Sequence, residues 1–138
     1  RPEILEILHS LGIRFVRTYA RNERDWGPLA LEVQPFWYEP QGFPDILEIP
    51  GQDWQDCHFR EIHGWKNTEG YLGHLRSCLD HVAAHGLTWS VCLHDFSSIR
   101  DDPHLSLIGG LIEYAQKKQV RIMSCKEYYH EMQSSSAR

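Results

Sequence analysis

The sequence predicts an α/β fold of parallel strands joined by crossover helices, and three observations carry that expectation. Trp89-Ser-Val-Cys-Leu-His-Asp95 is a short apolar run ending abruptly in a histidine and a carboxylate. A buried strand of a parallel sheet delivers polar groups to its carboxyl end in this way. Helical and strand-like patterns alternate along most of the chain, which implies crossover connections. Finally, 138 residues suffice for one packed core but fall short of the roughly 200 or more that a closed α/β barrel takes.

Each element has its own signal. Pro2 in a first-turn position, Ile4, Ile7, Leu8 and Leu11 on one face, and Gly12 as a stop predict a helix over 2–11. Ile13–Tyr19 reads as a strand, and so does Ile46–Ile49. A second helix spans about 67–85, with Leu72, Leu75, Leu79 and Val82 in register and Gly86 behind it. Trp89–Leu93 is the third strand. Asp102 caps a third helix with Leu107, Ile108, Leu111, Ile112 and Ala115 facing inward, and Lys117 and Lys118 suit its negative end. Val120–Met123 is the last strand, and Ser124-x-x-Glu127 forms a capping box for a short final helix. The first helix has no strand ahead of it, so the alternation is joined part-way. One domain over 1–133 is expected, followed by a disordered tail at 134–138, where Ser-Ser-Ser-Ala-Arg has nothing to bury.

Residues 27–66 break the alternation. They hold Pro28, Pro35, Pro40, Pro44 and Pro50, together with Trp37, Trp54 and Trp65, and Trp26 stands just ahead. Loops of this length in compact domains are usually functional or disordered, and so many aromatics argue against disorder. The segment is expected to be an ordered aromatic and proline-rich insertion over the mouth of the sheet. The opposing view is that its rings pack a satellite core.

Composition excludes several functions. A net charge of -5 with no basic block disfavours a nucleic-acid or anionic-membrane surface. No apolar run reaches membrane-spanning length and no signal-peptide layout opens the chain, which favours a cytoplasmic setting. Cys57, Cys78, Cys92 and Cys125 lie far apart without a C-x-x-C spacing, so free thiols are expected rather than a zinc cluster.

Leu11-Gly-Ile-Arg-Phe-Val16, Arg21-Asn-Glu-Arg-Asp-Trp26, Leu93-His-Asp95 and Leu111-Ile-Glu-Tyr-Ala-Gln-Lys-Lys-Gln-Val-Arg-Ile122 together resemble the second half of a polysaccharide deacetylase. The family is the NodB-homology domain of carbohydrate esterase family four. The resemblance covers most of the chain outside the aromatic insertion. It implies the C-terminal portion of a partial, distorted β/α barrel that hydrolyses N-acetyl groups on amino sugars of a polysaccharide or oligosaccharide. It also implies His94 as the general acid toward the departing amine, a role suited to an imidazole titrating near neutrality. Asp25 is the implied orienting carboxylate and Trp26 the pocket wall. Asp53-Trp54 repeats the dipeptide and stays an alternative, with Asp25 favoured for its strand-end position. Cys92 stands where the family places an acyl-pocket leucine, with Leu93 beside it. Trp37 and Trp54 complete the expected sugar-facing wall.

The family's Asp-Asp pair and its His-x-x-x-His motif, which hold a divalent metal such as zinc, have no counterpart in the right context. His81-Val-Ala-Ala-His85 matches literally but sits late, at a helix end, where histidines suit the helix dipole without a ligand. A metal is therefore expected in the complete domain and none on this chain alone. His9, His58, His63, His74, His104 and His130 have no ligand-like neighbours in sequence, and most of them read as surface residues. Two other functions stay open. One is a β/α-barrel glycosidase using Glu48 and Asp53. The other is a carbohydrate-binding module without turnover.

Overall fold

The computed structural model describes residues 2–22 and 24–136. The described residues form six helices and a small sheet: α1 (Pro2–Ser10), α2 (Asp56–His63), α3 (Thr68–His85), α4 (Asp95–Asp101), α5 (Ser106–Lys117) and α6 (Cys125–Ser136). The strands are β1 (Phe15–Val16), β2 (Phe36–Tyr38) and β3 (Phe43–Glu48), in the order β1-β3-β2. The class is α/β. The sheet, however, is mixed: β1 runs parallel to β3 and β2 antiparallel to it. The described residues do not form a barrel.

The parallel pair carries the predicted pattern. Leu47 N donates to Arg14 O at 2.9 Å, Ile49 N to Val16 O at 2.8 Å and Gly51 N to Tyr19 O at 2.9 Å, so pairing follows the predicted 13–19 segment beyond the two ladder residues. The supposed insertion supplies β2, the central strand β3 and α2, and so builds the core instead of covering it. A three-residue 3-10 turn, Glu39–Gln41, joins β2 to β3, and Gly42 closes it at φ 90°.

Two predicted strands, Trp89–Leu93 and Val120–Met123, do not enter the sheet. The physical reason is visible for the first. Its backbone groups are met by side-chain amides: Gln52 donates to Thr88 O at 2.8 Å and accepts from Ser90 N at 3.0 Å, while Gln34 accepts from Thr88 N at 2.8 Å. Once amides satisfy these groups, no neighbouring strand is required.

Helix signals fared better. Asn67 accepts from Gly70 N at 3.0 Å to open α3, and Gly86 closes it at φ 63°. At α6 the capping box is complete, with Glu127 accepting from Ser124 N at 2.7 Å and Ser124 Oγ accepting from Glu127 N at 3.2 Å. Asp102 reaches Leu107 N at 2.7 Å, but α5 starts only at Ser106, after a turn over 102–105 in which Leu105 is left-handed at φ 53°. The tail expectation is corrected. Ser134 and Ser135 lie in α6, their hydroxyls bonded to His130 O and Glu131 O at 3.0 Å, while residues 137–138 lie outside the described residues.

Three apolar clusters form the core. Phe59, Tyr71, Leu75, Leu107 and Leu111 join α2, α3 and α5; Leu79, Val82 and Ala115 extend the α3–α5 contact; Leu47, Ile49 and Tyr129 seat α6 on the sheet. Ile108 and Ile112, expected inward, are exposed, as are Ile4 and Ile7 on α1, where Leu5 is the buried residue, and Leu11 just after it.

One polar residue sits at the centre of the sheet. Glu48 is fully buried and accepts from Thr18 N and Thr18 Oγ1 at 2.7 Å, Tyr19 N at 2.9 Å and Tyr38 OH at 2.8 Å. With these donors in place it is a structural tie between β3, β2 and the chain after β1. Glu48→Ala strands buried donors and should cost about 3 kcal/mol or more in urea unfolding. Thr18→Val, which removes one hydroxyl donor and leaves the amide bonds, should cost about 1 kcal/mol. Equal losses would show that Glu48 is not the tie.

Candidate functional site

The chain leaving β3 carries Gln52 and Asp53 and reaches Asp56 as the first residue of α2. Gln52 holds segment 88–90 as described, which brings His94 over the first turn of α2. There Asp56 Oδ2 accepts from His94 N at 2.9 Å, and Asp56 Oδ1 lies 2.6 Å from His94 Nδ1. An ionised carboxylate only accepts, so the ring nitrogen is the donor. The Asp56 side chain is 1% exposed and that of His94 is 37% exposed. Among the described residues no hydrogen bond reaches His94 Nε2, which leaves that atom for a ligand. Burial alone would raise the Asp56 carboxyl. The hydrogen bonds from the His94 ring, the His94 amide and the Cys57 amide outweigh it and hold the group below the ordinary value.

Cys57 Sγ lies 3.3 Å from His94 Nδ1. Its thiol is pushed up by burial and by the neighbouring Asp56 charge, which keeps it protonated and poorly nucleophilic.

Gln55 and His58, on either side of Asp56 in sequence, join Arg21, Trp26, Asp53 and Trp54 in lining a narrow cleft. Trp26 is 72% exposed there. Trp26 and Asp53 both hold left-handed backbone, at φ 57° and 67°. For a non-glycine residue that strain costs about 1–3 kcal/mol and gathers at functional sites. His58 contacts Arg21 through both ring nitrogens. Burial first, and the Arg21 charge second, lower its pKa, so the imidazole is neutral near pH 7.

The structure sorts the sequence candidates. Trp26, Trp54 and Asp53 line the cleft together. Asp25 is exposed and its Oδ1 accepts from Gly27 N at 2.9 Å, a local turn that occupies the side chain. Asp53 faces α3, with Oδ2 at 2.7 Å from His74 Nε2. The carboxylate bonded to His94 is therefore Asp56, not Asp25 or Asp53. Trp37 lies away from the wall expected of it, edge-on to Tyr129 at 5.7 Å in the sheet–α6 cluster. Trp65 lies under the Arg100 guanidinium at 4.4 Å. Leu93 packs on the Phe59–Tyr71–Leu75 core and Cys92 is half-buried. All four cysteines are free.

Among the described residues two groups of side chains have metal-ligand chemistry, Asp53–His74–Cys78 and Asp56–Cys57–His94. The literal His-x-x-x-His pair does not share one: His81 Nε2 bonds Glu32 at 2.8 Å and His85 Nδ1 lies 2.8 Å from His81 O. The residues that sequence reasoning missed are Asp56, His58 and His74. Asp56-Cys-His-Phe-Arg-Glu-Ile-His-Gly64 does carry a helix pattern with an acidic first turn and a glycine stop, and that signal would have found α2 and its carboxylate. No family model, curated protein or solved structure matches the chain.

The depressed Asp56 pKa makes a stability prediction. The stabilisation is present above the unfolded value near 3.8 and lost as pH falls through the lower folded value. Ionisation of Asp56 should make the stability difference between wild type and Asp56→Asn shrink as pH falls from about 5 to below about 4. Urea unfolding across that range measures it, and a difference that does not change with pH would contradict the assignment.

Proposed function

We propose that this chain carries the acid/base side of a hydrolytic site acting on N-acetylated amino sugars, as the deacetylase resemblance implies. The observation that supports this reading best is the His94–Asp56 pair, with Nδ1 held by a buried carboxylate and Nε2 left for a ligand beside an aromatic-lined cleft.

Amide hydrolysis consumes one water and yields acetate and an amine. The difficult part is expulsion of nitrogen, which leaves only once protonated. His94, as imidazolium, donates its Nε2 proton to that nitrogen as the C–N bond breaks, and the neutral ring remains. Asp56 is the positioning residue: its bonds to the ring and amide of His94 fix the ring and leave Nε2 as the atom that faces a ligand. It takes the role that sequence reasoning assigned to Asp25 or Asp53. Trp26 and Trp54 offer flat apolar faces for a sugar ring at low entropic cost. The residues implied as ligands of the family's divalent metal have no counterpart here. His81 and His85 do not fit as substitutes, because neither belongs to a group of side chains with metal-ligand spacing among the described residues.

The glycosidase alternative is weakened by the burial of Glu48. The binding-module alternative shares the cleft and differs only in turnover.

The test is acetate release from chito-oligosaccharides by the longest polypeptide that carries these residues. His94→Ala should lower kcat by about 10²- to 10⁴-fold. Trp26→Ala should raise KM with a smaller effect on kcat. Turnover insensitive to His94 would overturn the reading, and saccharide binding without turnover would favour the binding module. A larger loss in Asp25→Asn than in Asp56→Asn would return the orienting role to Asp25.

A further inference from the structure

A second cluster lies where the cleft wall meets α3, and the His94 chemistry does not use it. His74 and Cys78 are four residues apart on α3, so their side chains share one face. Asp53 approaches them from the loop after β3. Its backbone is held by a bridge to Leu29, with Asp53 N donating to Leu29 O at 2.7 Å, and this anchor maintains the left-handed φ of 67°. Asp53 Oδ2 then lies 2.7 Å from His74 Nε2 and 3.5 Å from Cys78 Sγ, and Sγ lies 3.6 Å from Nε2. The three atoms make a compact triangle. Phe59 flanks it on one side, its ring centroid 5.1 Å from that of His74.

Those separations can be compared with a tetrahedral zinc centre. With Zn–S near 2.3 Å and Zn–N or Zn–O near 2.0–2.1 Å, a sulfur–nitrogen or sulfur–oxygen edge comes to about 3.6 Å and a nitrogen–oxygen edge to about 3.3 Å. Both sulfur edges are already at that length. Only the Nε2–Oδ2 edge is short, because it is a hydrogen bond, and it needs to open by about 0.6 Å as a metal replaces the shared proton. The donor set also selects the ion. Thiolate with imidazole suits zinc and similar borderline cations, whereas calcium and magnesium take oxygen ligands. Three protein ligands leave a fourth position for water. Solvent can reach it, since the side chain of His74 is 31% exposed and that of Asp53 12%.

We propose that Asp53, His74 and Cys78 form a binding site for a zinc-like divalent cation on the wall of the cleft. The site is separate from the Asp56–His94 pair and uses none of the sequence motifs for metal binding. The resemblance implies no metal on this chain, because the family's ligands have no counterpart here; the fold nevertheless brings Asp53 to α3 from 21 residues away.

The experiment is a cobalt(II) titration of the purified chain under reducing conditions, followed by displacement with zinc. The expected result is one equivalent of cobalt giving a thiolate-to-cobalt charge-transfer band and the visible bands of tetrahedral cobalt, both lost on adding zinc. Cys78→Ser should abolish the charge-transfer band while Cys57→Ser keeps it. His74→Gln retains an amide donor for Asp53 without a good ligand, so the fold is kept. It should weaken zinc binding by more than the roughly 10- to 100-fold that loss of an outer-shell partner costs. No charge-transfer band in the wild-type chain would overturn the proposal. So would a band that survives Cys78→Ser but is lost in Cys57→Ser, which would move the metal to Asp56–Cys57–His94. Unchanged affinity in His74→Gln would overturn it independently of how Cys78→Ser folds.

Discussion

A buried carboxylate is costly unless every oxygen is met by a donor, and the Asp56 carboxylate is the constraint on which the candidate site depends. At the first turn of α2 it sits at the positive end of a helix. Its hydrogen bonds to the ring and amide of His94 settle where the chain after Leu93 runs and which ring nitrogen faces away. Two further buried polar residues do comparable work upstream. Glu48 ties β3 to the chain after β1, and Gln52 ties the next segment to residues 88–90. The three stand four residues apart across a strand end, a loop and a helix start. Together they replace the missing strand ladder with side-chain bonds, and they carry the register of the sheet into the position of His94.

How much of this was legible in the sequence follows from whether the determining interactions were local. The boundaries of α3 and the capping box of α6 depend on residues within one turn, and Asn67, Gly86, Ser124 and Glu127 announce them. His94 was legible as a polar residue closing an apolar run. Its partner was not. Asp25-Trp26 and Asp53-Trp54 matched a motif, yet Asp25 closes a turn of its own and Asp53 turns toward α3. Asp56 is 38 residues from His94, and nothing in the local pattern links them. The apolar run 89–93 was read as a strand because burial and extension look alike in sequence. The alternative partners, the amides of Gln34 and Gln52, come from a segment that read as an insertion.

The cleft shows a similar division. Aromatic content marked Trp26, Trp37 and Trp54 equally, but only Trp26 and Trp54 meet there, while Trp37 lies on β2 and packs under α6. Left-handed backbone at Trp26 and Asp53 places strain on the cleft wall itself. Strain persists where its surroundings over-determine it, and the Leu29–Asp53 bridge and the Asp25–Gly27 turn do so here. Electrostatics separate the imidazoles as well: His58, beside Arg21, is held neutral, whereas His94 faces an anion.

The most direct test of the central claim, that Asp56 sets the state of His94, is nitrogen-15 NMR of the imidazole rings in the purified chain. An ionised carboxylate at Nδ1 requires the proton on that nitrogen, so neutral His94 should be the Nδ1–H tautomer, with Nε2 showing the shift of an unprotonated ring nitrogen. In Asp56→Ala the preference should disappear. A His94 signal showing the Nε2–H tautomer in the wild-type chain, or one that Asp56→Ala leaves unchanged, would contradict the account.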